Sequence, residues 1–177
     1  MAERPMLMSA PMVRAILDGT KSQTRRVGKK MVRHPDLGNL YTPGALVLEG
    51  EPQHVIERAC PYGRPGDHVY VRETWAAPHA YDHLPPRLIP QEARIHYSAT
   101  EDRGGLLWRP SIHMTRWASR ITLEVTSVRV ERLQDISEAD ALAEGATQTD
   151  GGWWTHDRAD PITGNDPIES FRRLWEH

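Results

Sequence analysis

The sequence predicts a small α+β domain. Three observations carry that prediction: short amphipathic stretches with helix caps, short alternating runs bounded by Pro-Gly turns, and no repeat or heptad across 177 residues. The length fits one compact domain with its own core, spanning residues 1–177.

The first helix is read from Ser9 as N-cap, Pro11 in the first turn, and Met12, Val13, Ile16 and Leu17 as an apolar face. Gly19 supplies the stop. Lys21 to Val27 then reads as extended or turn-like, and residues 28–42 as a basic loop. Ala45–Leu48 after Pro43-Gly44 predicts a strand, as does His68–Glu73 after Pro65-Gly66-Asp67. In the latter, Val69, Val71 and Glu73 share one face, while Tyr70 and Arg72 share the other. An inward Glu73 requires a partner, and Arg116, Arg120 and Lys21 are the candidates.

Four prolines across 76–92 predict a loop, and Arg94–Ser98 a short strand. Ile121–Val125 alternates cleanly, and Val128 and Val130 continue it after a phase slip that reads as a bulge in a bent strand. Ser137 as N-cap, Asp140 three residues on, an Ile136–Ala141 staple and a Gly145 stop define a second helix. Residues 146–165 read as a polar loop. Asp166-Pro167 opens a last helix with Ile168, Phe171 and Trp175 on one face.

Composition narrows the function classes. One cysteine, Cys60, excludes a disulfide framework and a Cys-rich zinc module. No apolar run approaches the ~18–20 residues of a membrane span, and the start has no signal-like apolar stretch, so a cytoplasmic protein without membrane contact is expected. His79 and His83 stand four apart among prolines with no third ligand, so no metal is assigned, and no cofactor motif is present.

The net charge of −2 conceals a gradient: residues 1–34 carry eight basic and two acidic side chains, and residues 132–177 four basic and ten acidic ones. A basic front end on a near-neutral chain points to a local anion site or a solvated arm, not to a polyanion-coating surface.

Four clusters hold chemistry-bearing residues. Gly19-Thr20-Lys21-Ser22-Gln23-Thr24-Arg25-Arg26 concentrates donors and positive charge past a helix end; strand alternation would separate Lys21 from Thr24, so they converge only through a turn. Glu144 lies at the last turn of its helix, where the dipole disfavours a carboxylate and eases its protonation. Arg72-Glu73-Thr74-Trp75 ends a strand and suits either an ion pair or a substrate contact. Trp108–Arg120 interleaves Trp117 with His113, Arg109 and Arg116, a pattern compatible with base stacking beside phosphates or with core packing.

Together these elements resemble the ASCH domain family, in the branch often found in phage and prophage genomes. The resemblance rests on the Gly19–Arg26 element, on Pro65-Gly66-Asp67 leading to Val71-Arg72-Glu73-Thr74-Trp75, on the Trp108–Arg120 block, and on the Ser137–Gly145 helix. It implies a PUA-like, mixed or antiparallel small β-barrel with short flanking helices, and loop insertions at about 76–107 and 146–165. It further implies an amidohydrolase that removes the acetyl group from N4-acetylcytidine or a related modified nucleoside. Carried over by motif, Lys21, Thr24 and Glu144 are the catalytic residues. Arg25, Arg26, Arg72, Glu73, Trp75, His113, Arg116 and Trp117 are the substrate-binding candidates.

The expected partner is a modified nucleoside or RNA, in the bacterial host cytoplasm if the chain is phage-encoded. A non-catalytic RNA or modified-nucleic-acid reader is the alternative. A metal-independent ribonuclease with His113 or Lys21 as base is a further one.

Overall fold

A computed structural model describes residues 3–28, 31–102, 104–149, 152–154 and 163–173. It is a mixed α+β structure of small sheets and short helices, ordered β1 (Glu3–Leu7), α1 (Ala10–Leu17), β2 (Val32–Arg33), β3 (Leu40–Tyr41), α2 (Pro43–Leu48), α3 (Gln53–Ala59), β4 (His68–Arg72), β5 (Trp75–Ala76), β6 (His96–Tyr97), β7 (Thr122–Glu124), α4 (Glu138–Ala143), β8 (Thr147–Thr149), β9 (Gly152–Trp154), β10 (Thr163–Gly164) and α5 (Pro167–Arg173). The central sheet runs β1-β4-β7, with β1 parallel and β7 antiparallel to β4; β10-β9-β8, β2-β3 and β5-β6 form separate small sheets. None of these sheets closes into a barrel among the described residues. No described helix is long and apolar enough to cross a membrane.

The best-defined elements follow from local chemistry. Ser9 Oγ accepts from the Met12 N–H at the start of α1, and Gly19 takes φ +74° just past its end, a conformation that costs a glycine little. Met12 and Val13 then pack on Val71 of β4, with Met8, Ala99 and Ile121. The alternation read from β4 holds, with Val69, Val71 and Glu73 all buried. Ser137 caps α4 by accepting from the Asp140 N–H at 3.1 Å, and Ile136, Ala141 and Phe171 form one cluster where α4 meets α5.

Four expectations are corrected. Ala45–Leu48 is helix, not strand: Thr42 Oγ1 accepts from the Ala45 N–H at 3.2 Å, and Pro43 favours a helical first turn. Residues 28–42 include the β2-β3 hairpin, whose turn is closed by His34 Nδ1 accepting from the Asp36 and Leu37 N–H groups. The long bulged strand does not form. The Val125 N–H still bonds the Asp67 carbonyl, but the segment it pairs with turns at Gly66, so the ladder ends there.

The fourth correction concerns 146–165, read as a loop, which contains β8-β9-β10. Lys29, Lys30, Arg103, Trp175 and residues 150, 151 and 155–162 lie outside the described residues. The segment 76–92 is irregular as expected, and Ala77 and Ile89 from it are core residues.

Candidate functional site

Two helix ends meet at Lys21. After α1 the chain turns at Gly19, and the N–H groups of Thr20 and Lys21 both bond the Ala15 carbonyl. The next two N–H groups, of Ser22 and Gln23, bond the Ala143 carbonyl at the end of α4, at 2.8 and 2.9 Å. Segment 20–23 thus caps the C-termini of two helices, supplying donors where helix carbonyls lack intrahelical partners. Cation and carbonyl ends also attract one another there. This capping, not a strand, decides where Lys21 points.

Lys21 Nζ donates to Glu144 Oε2 at 2.7 Å and to the Glu144 backbone carbonyl at 2.8 Å. Both side chains are shielded from water, at 2 % and 5 % exposure. At such depth the attraction between the charges is several-fold stronger than at a surface, and a lone buried charge would be costly. The carboxylate at the unfavourable end of α4 is therefore offset by an ammonium brought from a segment 123 residues earlier in sequence.

Arg25 extends the cluster. Its Nη1 lies 3.5 Å from Glu144 Oε1, and its Nη2 lies 2.8 Å from Glu131 Oε2 and 3.4 Å from Asp140 Oδ2. Arg129 closes the network on Asp140 at 2.7 Å and Glu131 at 3.0 Å. Hydrogen bonds from Arg129 and then Ser137 hold the Asp140 carboxyl well below its ordinary titration range. Three cations, Lys21, Arg25 and Arg129, thus face three carboxylates, Glu131, Asp140 and Glu144. Thr24 lies on the same segment as Lys21 and Arg25, and its hydroxyl is buried with no hydrogen-bond partner. An unpaired buried hydroxyl costs about 1–3 kcal/mol, which marks a position where a polar group from outside would be welcome.

The remaining expected residues fall elsewhere. Arg26 donates to the Leu7 and Arg25 carbonyls, so it braces the end of β1. Glu73 is paired bidentately by Arg120, at 2.9 and 3.0 Å, and Arg120 lies 4.0 Å over the Tyr97 ring. Of the three partners considered for Glu73, the structure selects Arg120. Arg116 grips Glu3 through two contacts of 2.9 Å, and Arg72 donates to the Ile112 carbonyl. His113 is exposed in a short 3-10 turn.

Trp75, expected to contact substrate, is 0 % exposed and forms an edge-to-face pair with Trp117 inside the cluster of Ile89, Met114 and Ala118. Trp117 is half-buried in that packing. The aromatic spacing that suits base stacking here serves a core. His79 is paired with Asp82 at 2.9 Å on an exposed turn, and no group of three metal-ligating side chains occurs among the described residues.

Sequence reasoning missed Asp140, Glu131, Arg129 and Phe171. Asp140 carries a usable signal, standing four residues before Glu144 and so on the same helix face. The others join only through long-range contacts. Comparison with known proteins gives no match: no family model, no curated protein and no solved structure matches the chain.

Proposed function

We propose that Lys21, Thr24 and Glu144 form a hydrolytic site for an amide on a modified nucleobase, with N4-acetylcytidine as the substrate. The supporting observations are the buried Lys21–Glu144 pair and, three residues after Lys21 on the same segment, the unpartnered Thr24 hydroxyl. On this reading the chain is an ASCH-type domain, and its small sheets correspond to parts of a PUA-like barrel.

The pair suits amide chemistry because it can exchange a proton without changing its net charge. Passage of one proton from the Lys21 ammonium to Glu144 gives a neutral amine and a carboxylic acid, a base and an acid side by side. The amine takes the Thr24 hydroxyl proton as Thr24 Oγ1 bonds the acyl carbon. The C–N bond then breaks, and the Glu144 carboxyl gives its proton to the departing amine. This leaves free cytidine, a Thr24 ester, the Lys21 ammonium and the Glu144 carboxylate. Water then cleaves the ester: Glu144 accepts a proton from it and returns that proton to the Thr24 oxygen, releasing acetic acid, which ionises. All three groups are shielded, so substrate entry requires an opening of the cover over them.

The RNA-reader alternative draws less support. It relied on the 21–33 basic stretch and the Trp108–Trp117 block, and in the latter Trp117 packs on Trp75 and Arg116 is held by Glu3. Incubation of the protein with N4-acetylcytidine in the presence of a chelator, followed by chromatography, tests the proposal. Cytidine and acetate in equal amounts are expected; intact substrate after prolonged incubation contradicts it.

A further inference from the structure

Arg25 stands where a substrate-binding arginine was expected, yet its guanidinium already has occupants on several sides. Glu131, Asp140 and Glu144 take its two terminal nitrogens, and its carbon lies 5.7 Å from the centre of the Phe171 ring. An incoming phosphate would have to displace two carboxylates and then face their charge, an arrangement that repels anions. The partners are themselves held: Asp140 by Arg129 and by the Ser137 hydroxyl at 2.7 Å, Glu131 by Arg129. The ring is fixed too. Phe171 is buried against Ile136 and Ala141, and Arg172 Nη2 donates to the Gln134 carbonyl at 3.0 Å, tying α5 to the turn before α4.

Glu144 has two oxygens with different neighbours. Oε2 meets Lys21 at 2.7 Å, and Oε1 faces Arg25 at 3.5 Å. The two oxygens are chemically equivalent, so what these contacts fix is the plane of the carboxylate, and the arginine fork is the contact on its Oε1 side among those described. We propose that Arg25, seated on Phe171 of α5, is a positioning residue that holds the plane of the Glu144 carboxylate with one oxygen on Lys21, so that α5 is a working part of the site. Its kinetic consequence rests on the amidohydrolase reading; its structural one does not.

The test uses Arg25→Gln, Arg25→Lys and Phe171→Leu, the last keeping apolar bulk while removing the ring. Turnover of N4-acetylcytidine is measured alongside the NMR chemical shift of the carbon-13-labelled Glu144 carboxyl at one fixed pH. Lys21, Arg25 and, at one remove, Asp140, Glu131 and Arg129 are the charged groups around that carboxyl. A positioning role predicts that Arg25→Gln lowers kcat about 10- to 100-fold with KM little changed. The Glu144 carboxyl resonance should move, since the guanidinium beside its Oε1 is gone.

Arg25→Lys restores the charge but not the fork and should recover part of kcat. Phe171→Leu should cost about two- to fivefold, the weight of one cation–π contact. A raised KM with unchanged kcat in Arg25→Gln, or an unmoved Glu144 carboxyl resonance, overturns the proposal. A moved Glu144 carboxyl resonance in a protein that does not hydrolyse N4-acetylcytidine keeps the positioning role and removes the amidohydrolase reading.

Discussion

The Glu73–Arg120 and Lys21–Glu144 ion pairs each hold a buried carboxylate and are built in opposite ways. Glu73 is gripped by both ends of the Arg120 fork at 2.9 and 3.0 Å, and Arg120 is further spent on Thr100 and the Tyr97 ring. That pair is bidentate and rests against the central sheet at the end of β4. Lys21 and Glu144 meet through one short contact, with a second from Lys21 to a backbone carbonyl. Three residues after Lys21, Thr24 carries an unpaired hydroxyl. A guanidinium does not give up its proton, whereas an ammonium beside a carboxylate can. The first pair is a lock in the fold, and the second has the chemistry of an acid–base site.

That contrast orders the predictions. Lys21→Ala is expected to lower hydrolysis of N4-acetylcytidine by about 10²–10⁴-fold, the range typical of a lost acid–base group. The corresponding change at the other pair acts on stability: Arg120→Ala strands Glu73, which is 2 % exposed, and should cost about 3–5 kcal/mol in a urea titration. The rate per folded molecule should change far less in that variant than in Lys21→Ala.

A smaller effect is expected where α4 begins. Ser137→Ala removes the cap bond to the Asp140 N–H and should cost about 1 kcal/mol by thermal or urea unfolding. Acid sharpens the same region. Because Asp140 titrates below its ordinary value in the folded state, its contribution is complete above that value and is lost as the pH falls through the folded one. The wild type should lose stability progressively on acidification below about pH 4, the ordinary carboxylate range, and Asp140→Asn should flatten that part of the curve. An identical acid profile in both proteins contradicts the assignment.

The lock was more legible in the sequence than the site. Strand alternation alone put Glu73 inward with Val69 and Val71 and required a cation, leaving three arginine and lysine candidates. Lys21 and Glu144 were singled out by a family resemblance, and local signals gave only part of the reason they meet. Ser137 and Gly145 bracket α4 and put Glu144 at its end. What brings Lys21 there is two N–H groups bonding one helix-end carbonyl, a long-range event without a local signature.

The same limit explains Phe171, Glu131 and Arg129. Trp75 shows another: a tryptophan among arginines reads alike as platform or core until packing decides. Short apolar runs fail for a third reason, since Ala45–Leu48 fits a strand or one helical turn, and Thr42 as a cap settles it. The charge gradient proved more informative. Its basic front supplies Lys21 and Arg25, and its acidic end supplies Asp140 and Glu144, joined in one network.

The central claim is that Lys21 and Glu144 perform chemistry and do not only hold the fold. It is tested most directly by measuring N4-acetylcytidine turnover per folded molecule in wild type, Lys21→Ala and Glu144→Gln under one set of conditions. Cytidine release by the wild type, with at least a hundredfold loss in each variant, is the predicted result. Equal turnover by wild type and Lys21→Ala, with both proteins folded, contradicts it.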